Sequence, residues 1–224
     1  VKLENATEQP KLARARWYDD ACGTAMALEL VGERWSLLIV RELMFGPRRF
    51  GELKTGLPGI SANVLTQRLE GLESSGILMR RKLPPPASVQ VYELTRLGYA
   101  AETVIKELGR WAAQSPLHDP TLPLSAASIM LSFRTMLDAE RARGIDAVIG
   151  FRFGEEAFRA QLSGGEIRIA RGEPDDAALV FSGTPVELAA VVYGGAPLDT
   201  IGVEGDGALA ARFVTLFPLP DKLA

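Results

Sequence analysis

The chain has 224 residues, 47% of them hydrophobic and 24% charged. That balance excludes a disordered chain, and the length exceeds the ~100–150 residues of a usual domain, so two domains are expected. No apolar run approaches the ~18 residues that a membrane helix needs. The polar stretch Val1–Pro10 lacks the apolar centre of a signal peptide, so a cytoplasmic protein without membrane insertion is expected. The net charge of −3 is unevenly divided: residues 11–115 carry 15 Lys/Arg against 11 Asp/Glu, a net +4, whereas residues 116–224 carry 9 against 15, a net −6. Only the first half therefore has the charge to meet a polyanion. The single cysteine, Cys22, can form no internal disulfide, which fits a reducing compartment.

In chain order, a helix is expected over 20–31, with Ala21, Ala25 and Leu28 at helical spacing and Gly32 as its stop. A second helix over 35–45 buries Trp35, Leu38, Ile39 and Leu43 and is closed by Gly46-Pro47. A short third over 50–55 turns Phe50 and Leu53 inward. Ser61 then stands as the N-cap of a fourth helix, in which Leu65, Leu69 and Leu72 recur at i, i+4 and i+7. Gly76 ends it. Strand-like runs over 77–83 and 89–94 follow, joined by a tip containing Pro84, Pro85 and Pro86. A long helix over 96–113 places Ala100, Val104, Leu108 and Trp111 on one face. The stretch 114–125, QSPLHDPTLPLS, has three prolines in twelve residues and marks the boundary between halves.

This order is helix, turn, helix, hairpin. A major groove admits one α-helix, whose N-terminal polar side chains read base edges. The helix after Ser61 offers Ser61, Asn63, Thr66 and Gln67 there, and Arg68 for a guanine or a phosphate. Asn and Gln suit bidentate bonding to adenine. Arg80, Arg81 and Lys82 lead into the hairpin, and Arg48 and Arg49 precede the third helix. All five are phosphate candidates, which position the protein without reading sequence, and the three of the hairpin equally suit entry into the minor groove.

The blocks GERWSLLIVRELMFGPRRFGELKTGLPGIS, LTQRLEGLESSGILMRR and VYELTRLG, with Cys22 before them and Trp111 after, resemble the HxlR family of winged-helix bacterial regulators related to MarR proteins. They cover most of residues 17–113. The resemblance implies a homodimer, held partly by its terminal helices, on a near-palindromic double-stranded DNA operator. It also implies that Ser61–Arg68 form the recognition surface and Arg80–Gln90 the wing. The Pro-rich tip departs from the shorter one usual in the family. Some relatives use a cysteine at the position of Cys22 as a thiol switch, which needs an accessible thiol of lowered pKa. Asp19 and Asp20 beside it would raise that pKa, so a buried, structural Cys22 is expected.

In the second half, a helix is expected over 125–142, strands over 145–153, 166–171 and 178–182, a helix over 184–193 opened by Thr184 with Pro185 first, and a final helix over 208–217. The text DAALVFSGTPVELAAVVYGGAPLDTIGVEGDGALAARFVTLF resembles the sterol-carrier-protein type of lipid-binding domain. That resemblance implies an apolar cavity between sheet and helices, lined by Phe133, Phe151, Phe153, Phe158, Phe181, Leu188, Val192, Phe213 and Phe217, with Arg152 and Arg168 as anchors for an acidic head group. Each of these apolar residues also reads as plain core. The expected architecture is α+β: a winged helix-turn-helix domain over 11–115, a linker over 116–125, and a small α/β sterol-carrier-like domain over 126–224.

The function read from these features is a sequence-specific regulator controlled by a lipophilic or aromatic small molecule. The competing reading is a lipid-binding protein whose winged helix serves only dimerisation; the base-reading side chains favour the regulator. Enzymatic chemistry is not expected. His118 lies alone in the linker with no paired base or metal cluster, Gly202, Gly205 and Gly207 make no dinucleotide fingerprint, and no cofactor or metal is called for.

Overall fold

A computed structural model describes residues 18–223. The polar stretch Val1–Pro10, the start of the expected first domain and Trp17 lie outside the described residues. The first half runs α1 (Gly23–Val31), α2 (Ser36–Leu43), α3 (Phe50–Gly56), α4 (Ala62–Ser74), β1 (Leu78–Lys82), β2 (Gln90–Leu94), α5 (Arg96–Ala100) and α6 (Glu102–Ala113). The second half runs α7 (Ala126–Met136), α8 (Ala139–Ala142), β3 (Ala147–Phe153), β4 (Glu156–Ser163), β5 (Glu166–Arg171), β6 (Leu179–Ser182), α9 (Pro185–Tyr193), β7 (Gly202–Gly205) and α10 (Gly207–Phe213). Among the described residues no helix is long and apolar enough to cross a membrane.

The winged helix forms for local reasons. Ser61 Oγ accepts from Val64 N–H at 3.2 Å and satisfies one of the free donors that open α4. Leu65, Leu69 and Leu72 are fully buried beneath it. Gly76 takes φ +70 just past the helix, a conformation that suits glycine. β1 and β2 pair antiparallel with Arg81 opposite Val91 and Lys82 opposite Gln90. The expected long helix over 96–113 is two helices that meet at Ala101. Thr95 caps the first and donates to the Gly76 carbonyl at 2.6 Å. A side chain at Gly98 would lie 2.1 Å from the Ile77 carbonyl, so glycine lets α5 lie directly on the hairpin root.

The second half is a five-stranded sheet of order β5-β4-β3-β6-β7, in which β3 and β6 are parallel and the other pairs antiparallel. The sequence reading missed β4, although Phe158, Ala160 and Leu162 alternate inward along it. The expected helix over 125–142 stops at Met136; Asp138 caps the short α8 instead. Pro185 opens α9 behind Thr184, whose hydroxyl and Glu187 carboxylate form a reciprocal capping box.

Phe158, Phe151 and Phe181 stand side by side in register on β4, β3 and β6. Phe133 of α7 and Phe213 of α10 cover them, with Phe133 and Phe217 stacked at 4.4 Å between centroids. The winged helix joins this interior: Phe45, just after α2, meets Phe158 edge to face at 5.6 Å. The apolar core is continuous between the two halves.

Candidate nucleic-acid interface

Burial of one stripe of α4 fixes what the other stripe offers. With Leu65, Leu69 and Leu72 turned inward, Asn63, Thr66 and Gln67 are exposed on the first two turns, beside the exposed cap Ser61. These are neutral groups with both donors and acceptors, set at the N-terminal end of the helix.

The cations divide by partner. Lys82 and Arg49 are exposed, and neither side chain makes an ion pair among the described residues. Arg80 is bound to Glu73 at 2.6 Å, so it draws the wing against the end of α4. Arg81 is bound to Glu93 on the facing strand. Both remain exposed at the hairpin surface. Arg68 corrects the expectation of a base or phosphate contact: its Nη2 lies 2.8 Å from Glu33 and its Nε donates to the Arg34 carbonyl at 3.0 Å. It fastens α4 to the turn before α2. Arg48 is corrected outright. It is buried, with Nη1 3.1 Å from Glu156, and its backbone pairs with that of Tyr92. A phosphate cannot reach it without breaking the junction between the halves. Sequence reasoning missed the carboxylates Glu33, Glu73, Glu93 and Glu156 that hold these arginines. The register of the hairpin was the one available signal, because Glu93 sits diagonally across from Arg81.

Residues 30–118 match the family described as HxlR-like helix-turn-helix. Over 88 residues the chain is 41% identical to the HTH-type transcriptional regulator YodB of Bacillus subtilis (strain 168), covering 39% of this chain and 79% of YodB. The chain belongs to the HxlR-like helix-turn-helix family. It is also 35% identical over 88 residues to the uncharacterized HTH-type transcriptional regulator YvaP of the same organism, covering 39% of this chain and 82% of YvaP. The solved reduced form of YodB aligns with 44% of this chain and 98% of its own, at 38% identity and a TM-score of 0.40.

Within this HxlR-family chain, apolar side chains of two helices face outward, a direction that periodicity left open. The stripe Ala100, Val104, Leu108 and Trp111 faces outward, and Trp111 is 68% exposed. On α1, Met26 and Leu28 are also exposed. Cys22 is exposed at the N-cap position of α1, not buried. Hydrogen bonding to Thr24, followed by that to Ala25, holds its thiol below its ordinary pKa. The helix start therefore outweighs the effect expected of Asp19 and Asp20.

The second half also departs from expectation. Phe133, Phe151, Phe158, Phe181, Phe213 and Phe217 are fully buried and pack ring on ring, with Phe153 and Leu188 buried beside them and Val192 half-buried. The space expected to hold a ligand is filled with side chains. Arg152 and Arg168 point away from that interior, because they alternate with Phe151, Phe153 and Ile169 along their strands. They pair with Glu173 and Glu166 at the surface. At the junction, Glu156 binds both Arg48 and Arg171, Glu102 binds Arg134 at 3.0 Å, and buried Glu42 accepts from Ser125 Oγ at 2.6 Å. Arg134 and Arg171 also lie over the rings of Phe45 and Phe158.

Proposed function

We propose that this chain is a sequence-specific DNA-binding transcriptional regulator. In this reading it acts as a homodimer on a near-palindromic operator, α4 enters the major groove and the β1–β2 wing follows the backbone. The observation that carries the reading is the exposed set Asn63, Thr66 and Gln67 at the capped end of α4, opposite a fully buried leucine stripe. The names of its relatives, HTH-type transcriptional regulators, agree with it. The outward apolar residues of α1 and α6 support dimerisation, since such patches mark surfaces that another molecule covers. The second half, 126–224, is read as a sterol-carrier-like unit through which an apolar effector changes operator affinity. Its five-stranded sheet backed by α7 and α10 supports that reading, and its continuous core with the winged helix gives it a mechanical route.

Selection of duplexes from a random library by the full chain tests the proposal, with sedimentation measured alongside. A two-fold symmetric site enriched by a dimer is the expected result. Retention of random duplexes without enrichment would favour a lipid-binding protein whose winged helix only dimerises.

A further inference from the structure

Beside the filled aromatic core lies a separate cavity of about 540 Å³ at the junction of the two halves. Ile105 of α6, Leu124 of the linker, Leu131 of α7 and Leu219 of the C-terminal segment make apolar walls. Its volume falls in the range of about 300–1,000 Å³ that small-molecule sites occupy. Arg41 reaches its edge, but that guanidinium is bound to Glu42 at 2.9 Å. The cavity's polar lining includes His118 and Asp119 on the linker side and, among the side chains of the helices, a pair of hydroxyls: Ser132 Oγ and Tyr193 Oη lie 2.6 Å apart. Two hydroxyls carry two protons, and the bond between them uses one. The other has no acceptor among the described residues. Burial pushes the Tyr193 phenol above its ordinary pKa, so the pair stays neutral and keeps both protons.

We propose that this cavity binds a neutral, largely apolar molecule bearing one carbonyl oxygen, of the aryl-ketone class, with the Ser132–Tyr193 pair donating the spare hydrogen bond to that oxygen. An anionic ligand would lose its hydration against apolar walls, because the guanidinium that lines them is already bound to Glu42 and the carboxylate of Asp119 stands at the linker rim. A pure hydrocarbon would leave the proton unsatisfied. The cavity wall includes α6, whose neighbouring face carries the exposed Val104 and Trp111. An occupant can therefore alter how α6 meets a partner. This inference deepens the effector reading above and rests on it for its consequence, while the binding itself is measured without DNA.

The probes are benzophenone and diphenylmethane, which share two phenyl rings and differ in the bridge, a carbonyl in one and a methylene in the other. Equilibrium dialysis of the full chain should show benzophenone bound more tightly, by about three- to tenfold, the weight of one hydrogen bond. The double variant Ser132→Ala/Tyr193→Phe should bring the two probes level. Gly109→Leu should abolish binding of both: Gly109 lines the cavity, and a Cβ there meets nothing within 4 Å. Unchanged unfolding and sedimentation would show that this variant folds and assembles normally. Irradiation of bound benzophenone should label residues of α6, the linker or α7. Equal binding of the two probes by the native chain, labelling inside the aromatic core, or loss of the dimer in Gly109→Leu would overturn the proposal. The last result would assign the cavity to a second copy of the chain. Benzophenone binding that leaves operator affinity unchanged would uphold the site and overturn the effector reading.

Discussion

The outer turns of α4 and the seam between the two halves are both built from polar side chains, yet they have opposite characters. On α4, Asn63, Thr66 and Gln67 are exposed. In the seam, Arg48, Arg134 and Arg171 are held against Glu156 and Glu102, and the latter two arginines are laid over Phe45 and Phe158. Arginine composition therefore does not locate the surface that meets DNA. Burial together with a carboxylate within reach decides whether an arginine is offered to phosphate or ties the chain together. Where both hold, as at buried Arg48 and half-buried Arg68, the residue leaves the candidate interface, whereas exposed Arg80 and Arg81 stay in it although paired.

The comparison is broken most severely at the seam. Glu156→Ala leaves two largely buried guanidiniums facing each other without their shared anion, and the Nε atoms of both already lack acceptors. The chain should lose about 3 kcal/mol of stability in urea unfolding. The same variant at a permissive temperature should keep its salt dependence on DNA; a steeper dependence, from an Arg48 freed to meet phosphate, would return Arg48 to the interface. On α4, Asn63→Ala or Gln67→Ala should each cost about 1–3 kcal/mol at the operator and little on random duplex, with no loss of stability. Lys82→Gln should lower the slope of log affinity against log salt by about one, measured by titration on any duplex. Arg80→Gln and Arg81→Gln should lower it less, because Glu73 and Glu93 compete with phosphate for them. The smallest effect concerns Cys22. Its alkylation should reach half its maximal rate below the ordinary thiol pKa of about 8.5, and Cys22→Ser should leave operator affinity unchanged.

Much of the winged helix was legible because its signals are local. The Ser61 cap, the leucine spacing of α4 and the glycine stop at Gly76 all act within a few residues, as do Thr184, Pro185 and Glu187 at the start of α9. What could not be read is non-local. Glu42 and Ser125 are 83 positions apart, and nothing near either announces the other. The stripe on α6 was visible as a stripe, but periodicity does not say whether it faces a core or solvent. The strand β4, by contrast, carries a local signal that was missed: Phe158, Ala160 and Leu162 alternate with Arg159 and Gln161. For the aromatic cluster, composition suited a cavity and a filled core equally. The ring contacts identify a filled core.

The central claim is that α4 reads sequence while the seam only supports it. The most direct measurement is the ratio of operator to random-duplex affinity, at one salt concentration, for the native chain, the double variant Asn63→Ala/Gln67→Ala, and Glu156→Ala. The account predicts that the double variant loses most of the ratio while its random-duplex affinity holds, and that the folded fraction of Glu156→Ala keeps the native ratio. A double variant that retains the native ratio, or that weakens equally on both duplexes, would contradict it.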